Sequence, residues 1–239
     1  MMELYPIKTY SEELDKIIGG FYPGELTLLC GANGFGDESS EFIFSLVKMI
    51  TFATGMPGIL YNFGARAVFD RLITSAIGIP WWERKRLKNE ESDVELNNFI
   101  SKQVYDLPLI VRYNPNLLAQ GFYDDIRKLY KYKDIKIIYL DGIHASGGPR
   151  TCFFFQKLKE LSQEMNIPII VAYYRRGIDV INDEEIVKIS DTIITFNKHW
   201  TSSDYSFYQM PFRVIKTHDG KIGTFSMTFC PHNLVFPEL

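Results

Sequence analysis

A glycine-rich turn between an apolar run and a helical pattern limits the folds that are open to this chain. The apolar run covers residues 26–29, the turn begins at Gly31, and apolar residues recur at helical spacing from Phe42 onward. A buried strand, a glycine-rich loop and a helix in this order are typical of a phosphate-binding loop, whose backbone N–H groups surround phosphate oxygens. The sequence therefore predicts the scaffold of a nucleotide site.

The two positions that carry the chemistry of such a loop are substituted. In the pattern G-x-x-x-x-G-K-[ST], the lysine reaches the terminal phosphates and the hydroxyl group binds Mg²⁺. Gly31 and Gly36 have the required spacing, but Asp37 stands at the lysine position and Glu38 at the hydroxyl position. We interpret the segment as a vestigial binding loop. Its candidate residues are Gly31, Gly34, Gly36, Asp37, Glu38 and Ser39.

The two carboxylates of this segment lie where negative charge is stabilised. Asp37 and Glu38 fall in the first turn of the predicted helix, where the helix dipole and free N–H groups stabilise negative charge. In one interpretation, a carboxylate occupies the anion site that the loop would otherwise offer to a phosphate. In the other, the carboxylates only cap the helix that follows a loop without remaining function. Both interpretations predict that the loop does not support hydrolysis.

Short apolar runs alternate with helical patterns along the rest of the chain, and a last pair of strands flanks the turn signal at Asp219-Gly220. The predicted strands cover residues 26–29, 59–63, 109–111, 135–141, 167–172, 192–196, 211–217 and 223–230. This order favours a doubly wound α/β fold with a mainly parallel sheet and a C-terminal antiparallel hairpin. We expect one domain over residues 1–239, with a lead-in at 1–25, a loop at 145–149 and the hairpin at 211–230.

Composition excludes several kinds of function. The formal net charge is −3, so any contact with DNA must come from a local patch. The 3 cysteines lack C-x-x-C spacing and the 4 histidines are scattered, so we expect reduced cysteines and no metal site. No apolar run approaches the roughly 20 residues of a membrane span, so we expect a soluble, cytoplasmic protein without membrane contact.

Several separate segments resemble one family, in the same order along the chain. They include LDKIIGGFYPGEL at 14–26, IYLD at 138–141, and the glycine spacing Lys216-x-x-x-Gly220-x-x-Gly223. Together they resemble the RecA-like motor domain of bacterial replicative DNA helicases of the DnaB type. The resemblance implies a RecA-like P-loop fold, ATP and Mg²⁺ as cofactors, and motor sites between subunits. It also implies a role in DNA replication, repair or recombination.

We matched the catalytic residues of the family to positions of this sequence one by one. Most of them are replaced by other residues. The glutamate that activates water falls near Gly64, and the glutamine that senses the γ-phosphate falls on Tyr174. The family's trans-acting lysine matches Lys216, but its arginine finger falls on His218. Asp141 matches the aspartate associated with Mg²⁺ and is retained. An arginine finger alone contributes 10³–10⁵ in rate, so these substitutions favour loss of activity.

We therefore interpret the chain as a pseudo-ATPase with a degenerate Walker A loop, no catalytic residues and no cofactor. Its remaining role would be binding: assembly with its own copies, or with a DNA-processing partner protein. DNA itself is a further candidate, through Arg175 and Arg176 after a strand end, or through Lys216.

Two other interpretations remain open. The first is a divergent DNA-dependent ATPase, which would use ATP and Mg²⁺ and take its cation from Lys216 or Arg66. The second is a nucleotide-binding sensor without turnover, which requires the loop to tolerate Asp37.

Overall fold

The computed structural model describes residues 5–31, 37–63, 72, 108–113, 120–144, 149–174, 183–196 and 208–230. The strands are β1 Leu26–Gly31, β2 Gly58–Asn62, β3 Leu109–Tyr113, β4 Ile137–His144, β5 Ile169–Tyr174, β6 Thr192–Phe196, β7 Tyr208–Lys216 and β8 Gly223–Phe229. The helices are α1 Glu12–Ile18, α2 Asp37–Leu46, a π-helix Val47–Phe52, α3 Gln120–Lys133, α4 Pro149–Met165 and α5 Glu184–Ile189.

All eight of these strands form one sheet in the order β3-β2-β4-β5-β1-β6-β7-β8. Strands β1 to β6 pair in parallel, whereas β7 pairs antiparallel with both β6 and β8. The predicted α/β fold with a C-terminal antiparallel hairpin is therefore confirmed. We call the edge where β1 to β6 end the carboxyl edge, and the edge where they begin the amino edge.

The hydrophobic core lies on both faces of the sheet. Because successive side chains of a strand point to opposite faces, Leu28 and Leu29 join different clusters. The face of Leu29 packs against α1, α2 and the π-helix, and the face of Leu28 packs against α3, α4 and α5. The sheet is thus covered by helices on both sides, which explains why its central strands are continuous apolar runs.

The π-helix after α2 was not expected from the sequence. It lies close to Gly58, the first residue of β2. A Cβ atom on Gly58 would be only 3.1 Å from Thr51 Oγ1 and 3.3 Å from Tyr139 Cε2. The Thr51 and Tyr139 hydroxyl groups are 3.4 Å apart and buried. Gly58 therefore permits a close approach of strand and helix that a larger residue would obstruct.

Most strand bounds differ from the sequence prediction by one to three residues, and one helix was missed. Pro149 is the first residue of α4 rather than part of a loop, since its fixed φ and missing N–H suit a first helical position. Strand β7 begins at Tyr208 and continues through Pro211, which pairs with Ser226 of β8. Helix α5 was missed; its N-cap is Asp183, whose carboxylate accepts a hydrogen bond from the Ile186 N–H group.

Candidate functional site

The strand that leads into the predicted nucleotide loop ends at the carboxyl edge of the sheet. Strand β1 ends at Gly31 and α2 begins at Asp37. Asp37 and Glu38 are thus the first two residues of the helix, as the sequence predicted. Ser39 follows them and is buried, with 2% exposure. A strand and a helix thus flank residues 32–36 in the order that the sequence predicted.

Asp141 lies at the same edge, on a neighbouring part of the sheet. Strand β5 separates β4 from β1, so Asp141 is about 10 Å from the β1 axis at the usual strand spacing. The strand register shifts between Leu140 and Ile143, and Gly142 has a φ of 76°. This bulge directly after Asp141 requires a residue that tolerates positive φ, which glycine does without strain.

The Asp141 carboxylate is held by Asn62, a residue that the sequence analysis did not single out. The two residues are register partners on the adjacent strands β4 and β2. The Asn62 side-chain amide donates to Asp141 Oδ2 at 2.5 Å, and the two residues are only 3% and 1% exposed. A signal existed in the sequence, because each residue ends a buried apolar run. To predict the Asn62–Asp141 pair from this signal, one must also know the order of the strands in the sheet.

Tyr174 also lies at the carboxyl edge. It is the last residue of β5, directly after Tyr173, which pairs with Cys30 of β1. The side chain is partly buried. Several predicted positions lie outside the described residues: Gly34, Gly36, Gly64, Arg66, Arg175 and Arg176.

Lys216 lies at the amino edge, away from the loop. It pairs with Ile193 at the start of β6. Its ammonium group donates to the Val187 carbonyl at 2.6 Å and also to the Ser190 carbonyl, so it caps the end of α5. Burial lowers the pKa of this ammonium group. Lys216 is therefore engaged with its own chain and lies at the edge opposite the nucleotide loop of the same chain.

His218 belongs to a second cluster of charges at the amino edge. Its Nδ1 atom is 3.3 Å from Glu25 Oε1, and its ring contacts the Tyr22 ring at 4.3 Å between centroids. Burial and then the charge of Asp191 raise the pKa of Glu25 to about 7. Lys159 forms a 2.6 Å ion pair with Asp191. This cluster joins the start of β1 to the hairpin, and it contains no residue of the predicted nucleotide loop.

The described residues show no grouping of three His, Cys, Asp or Glu side chains that could hold a metal ion. Among the helices that the structure describes, none is both long and apolar enough to cross a membrane. The carboxyl edge therefore offers Asp141, hydrogen-bonded to an amide, and a helix whose first two residues are acidic.

Comparison with known proteins decides the family. The chain matches the family model described as the DnaB-like helicase C terminal domain over residues 6–238, which is nearly its whole length. The chain belongs to this family. No curated protein matches this DnaB-like domain.

Solved structures support the same fold. The DnaB-like domain is similar to a solved structure described as an ATPase domain, with a TM-score of 0.79 and 15% identity, covering 99% of this chain and 92% of that one. It is also similar to a DnaB-like replicative helicase studied with its interactions with primase, with a TM-score of 0.78 and 14% identity. That match covers 98% of this chain and 62% of the helicase chain. At such identities the likeness establishes the RecA-like fold, and activity must be argued from the residues of this chain.

Proposed function

We propose that this DnaB-like domain does not hydrolyse ATP and acts as a binding or assembly protein in DNA metabolism. The observation that carries the proposal is the start of α2, where Asp37 and Glu38 occupy the first turn after the loop. At this helix end the sequence has two acidic residues at the positions where the family has a lysine and a hydroxyl group. Two like unit charges about 4 Å apart repel by roughly 4 kcal/mol at an effective dielectric constant of 20.

The residues at the carboxyl edge do not suit Mg²⁺-ATP. The family's metal is shared between a loop hydroxyl group and a strand-end aspartate, and Glu38 replaces that hydroxyl group. The remaining aspartate, Asp141, is buried and accepts a hydrogen bond from the Asn62 amide. An amide donor stabilises a carboxylate without metal, so Asp141 has a structural role that needs no cofactor. No catalytic step is therefore assigned to Mg²⁺-ATP in this chain.

The position of Lys216 supports the same proposal. In the alternative of a divergent ATPase, the missing cation comes from Arg66, which lies outside the described residues, or from Lys216. Its ammonium group instead caps the end of α5 in its own chain, through carbonyl groups of Val187 and Ser190. Moving it to a phosphate would leave those carbonyls without this donor, at a cost of about 1–3 kcal/mol for a buried group.

The role that remains is assembly. One structural neighbour is a replicative helicase described with its interactions with primase, so a protein partner is a reasonable extension to this chain. A subunit surface can persist after hydrolysis is lost, because packing between subunits does not depend on the loop lysine. We propose a homo-oligomer or a complex with a DNA-processing protein.

Phosphate release from ATP tests this proposal. Wild type is compared with Asp141→Asn, with and without Mg²⁺ and single-stranded DNA. The proposal predicts no release above background for both proteins under all conditions. Magnesium-dependent release by wild type that is abolished in Asp141→Asn would refute it and favour the divergent ATPase.

A further inference from the structure

The last strand of the sheet, β8, has an open edge. It stands at one end of the strand order, and among the strands that the structure describes it pairs with β7 and with no other. A groove of about 620 Å³ lies along this edge, between α1 and the strand. Its lining includes Thr224, Phe225 and Ser226 of β8 and Glu13, Lys16 and Ile17 of α1.

This strand lacks the features that usually protect an open edge. Charged side chains, proline residues and bulges hinder the pairing of an edge strand with another chain. Residues 223–229 read GTFSMTF, without a charge or a proline, and they pair with β7 in an unbroken register. The strand at the opposite edge, β3, carries Arg112. Of the two edges of the sheet, β8 is therefore better suited to accept a further strand.

Pro211 indicates which backbone groups of β8 point to the open edge. Opposed residues of an antiparallel pair alternate between pairs that exchange two hydrogen bonds and pairs that exchange none. Proline has no N–H group, so the pair of Pro211 with Ser226 fits the second kind. The N–H and C=O groups of Ser226, and by alternation those of Thr224, then point away from β7. Both residues are exposed, so these groups are accessible to a further strand.

The side chains of β8 alternate between two chemical kinds. Thr224 and Ser226 carry hydroxyl groups and are exposed, whereas Phe225 and Met227 are apolar and buried in the core. When a two-fold axis relates two antiparallel copies of a strand, opposed residues are an even number of positions apart in sequence. Hydroxyl groups therefore face hydroxyl groups and apolar side chains face apolar ones, which are favourable cross-strand pairs. The strand is thus complementary to a second copy of itself.

We propose that two copies of this chain pair through their β8 strands, antiparallel and about a two-fold axis, so that their sheets join into one. Each copy uses the same edge, so the product is a dimer in which no β8 edge remains open. A ring of motor subunits, in contrast, requires two different surfaces on every subunit. The proposal deepens the proposed assembly role and rests on it. It does not depend on the nucleotide loop.

The rim of the groove also suits a second copy. Glu13 and Lys16 lie on α1 beside the edge and carry opposite charges. The two-fold axis reverses the direction of α1 in the second copy, so the order of the two charges is reversed as well. Opposite charges can then face each other across the contact. A copy of the chain thus brings, by symmetry, both the matching alternation and the reversed charges.

Sedimentation of the full chain at concentrations from about 1 to about 100 µM tests the pairing. Wild type is compared with Ser226→Lys, with Ser226→Glu and with an equal mixture of these two variants. Wild type changes from one copy to two as the concentration rises. Either variant alone brings like charges together and raises the dissociation constant about 5-fold, whereas the mixture brings opposite charges together and associates about 25-fold more tightly than either variant.

The mixture also separates a lost contact from a damaged fold, because opposite charges cannot repair misfolding. The matched control is Gln156→Lys, which adds the same charge at an exposed position of α4 and leaves the association of wild type unchanged. Amide hydrogen exchange reports which groups take part. A higher concentration slows exchange at Thr224 and Ser226, whose N–H groups point to the edge, but not at Phe225, whose N–H group points to β7.

The proposal is overturned if wild type remains a single chain up to about 100 µM, whether or not the edge binds an extended segment of another protein. It is also overturned if the mixture associates no better than either variant alone, or if assemblies of more than two copies persist in Ser226→Lys. Phosphate release tests hydrolysis separately. Release by a dimeric wild type would refute the proposed function and leave this contact standing, whereas an assembly insensitive to charge at residue 226 would refute this contact alone.

Discussion

The Glu25 carboxyl group at the start of β1 makes the stability of this protein depend on pH. Burial is the main cause that raises its pKa from 4.5 to about 7, and the negative charge of Asp191 adds to it. Lys159 opposes the increase, and Asp219 contributes to it. Because the pKa is higher in the folded state than in the unfolded state, folding takes up a proton between these two pH values. Stability is therefore greatest below about pH 4.5 as far as this group is concerned, and it falls as pH rises toward about 7.

The size of this effect follows from the two pKa values. An increase from 4.5 to about 7 in the pKa of Glu25 corresponds to about 3 kcal/mol of lost stability once the carboxyl group is ionised. The Glu25 side chain is 15% exposed, and its partner His218 is 33% exposed, so water screens part of these charges. We expect about 1–2 kcal/mol after screening.

Replacing the carboxyl group by a neutral amide tests this reasoning. Glu25→Gln should be about 1–2 kcal/mol more stable than wild type at about pH 8, and the difference should shrink near pH 5. Urea unfolding at both pH values measures it. The matched control is Glu13→Gln, the same change at an exposed position of α1, which should differ little from wild type at either pH. A variant Glu25→Gln that is no more stable than wild type at about pH 8, or a gain that persists unchanged at pH 5, would refute the account.

Two further substitutions test the fold and the site by chemical denaturation. Asn62→Ala removes the buried amide that donates to Asp141, so we expect a loss of about 1–3 kcal/mol; a loss below about 0.5 kcal/mol would mean that this hydrogen bond does not matter. Gly58→Ala places a Cβ atom 3.1 Å from Thr51 Oγ1, so we expect about 1–3 kcal/mol of destabilisation from overpacking. Its control is Gly121→Ala on α3, where no atom lies within 4 Å of the added Cβ and the helix should gain up to about 1 kcal/mol. Equal effects at the two glycines would contradict the close approach.

The fold was largely predictable because its strands carry local signals. Buried parallel strands are continuous apolar runs, and the turn at Asp219-Gly220 marks the hairpin. Strand β6 was predicted with its observed bounds, Thr192–Phe196. The π-helix gave no such signal, and the Tyr139 hydroxyl group that lies 3.4 Å from Thr51 Oγ1 is 88 residues away in sequence.

The site was predictable only in part. The sequence placed Asp37 at a helix start, which follows from a local pattern, but it ended the strand of Asp141 at that residue, whereas β4 continues to His144. The amide of Asn62 is 79 residues from its acceptor, so that hydrogen bond depends on the strand order. Similarly, the resemblance matched Lys216 to the family's trans-acting lysine. It did not predict the hydrogen bonds of Lys216, because these depend on where α5 ends.

Binding of a fluorescent ATP analogue with Mg²⁺ tests the central claim most directly. Wild type is compared with Asp37→Lys/Glu38→Thr, and the control is Glu12→Lys/Glu13→Thr, the same change in charge at exposed positions of α1. The account predicts no binding by wild type or by the control at up to about 1 mM nucleotide. If the loop geometry is intact, the restored protein binds about a thousandfold more tightly than wild type. Micromolar binding by wild type would contradict the account, because it would show that the two carboxylates do not exclude the phosphates.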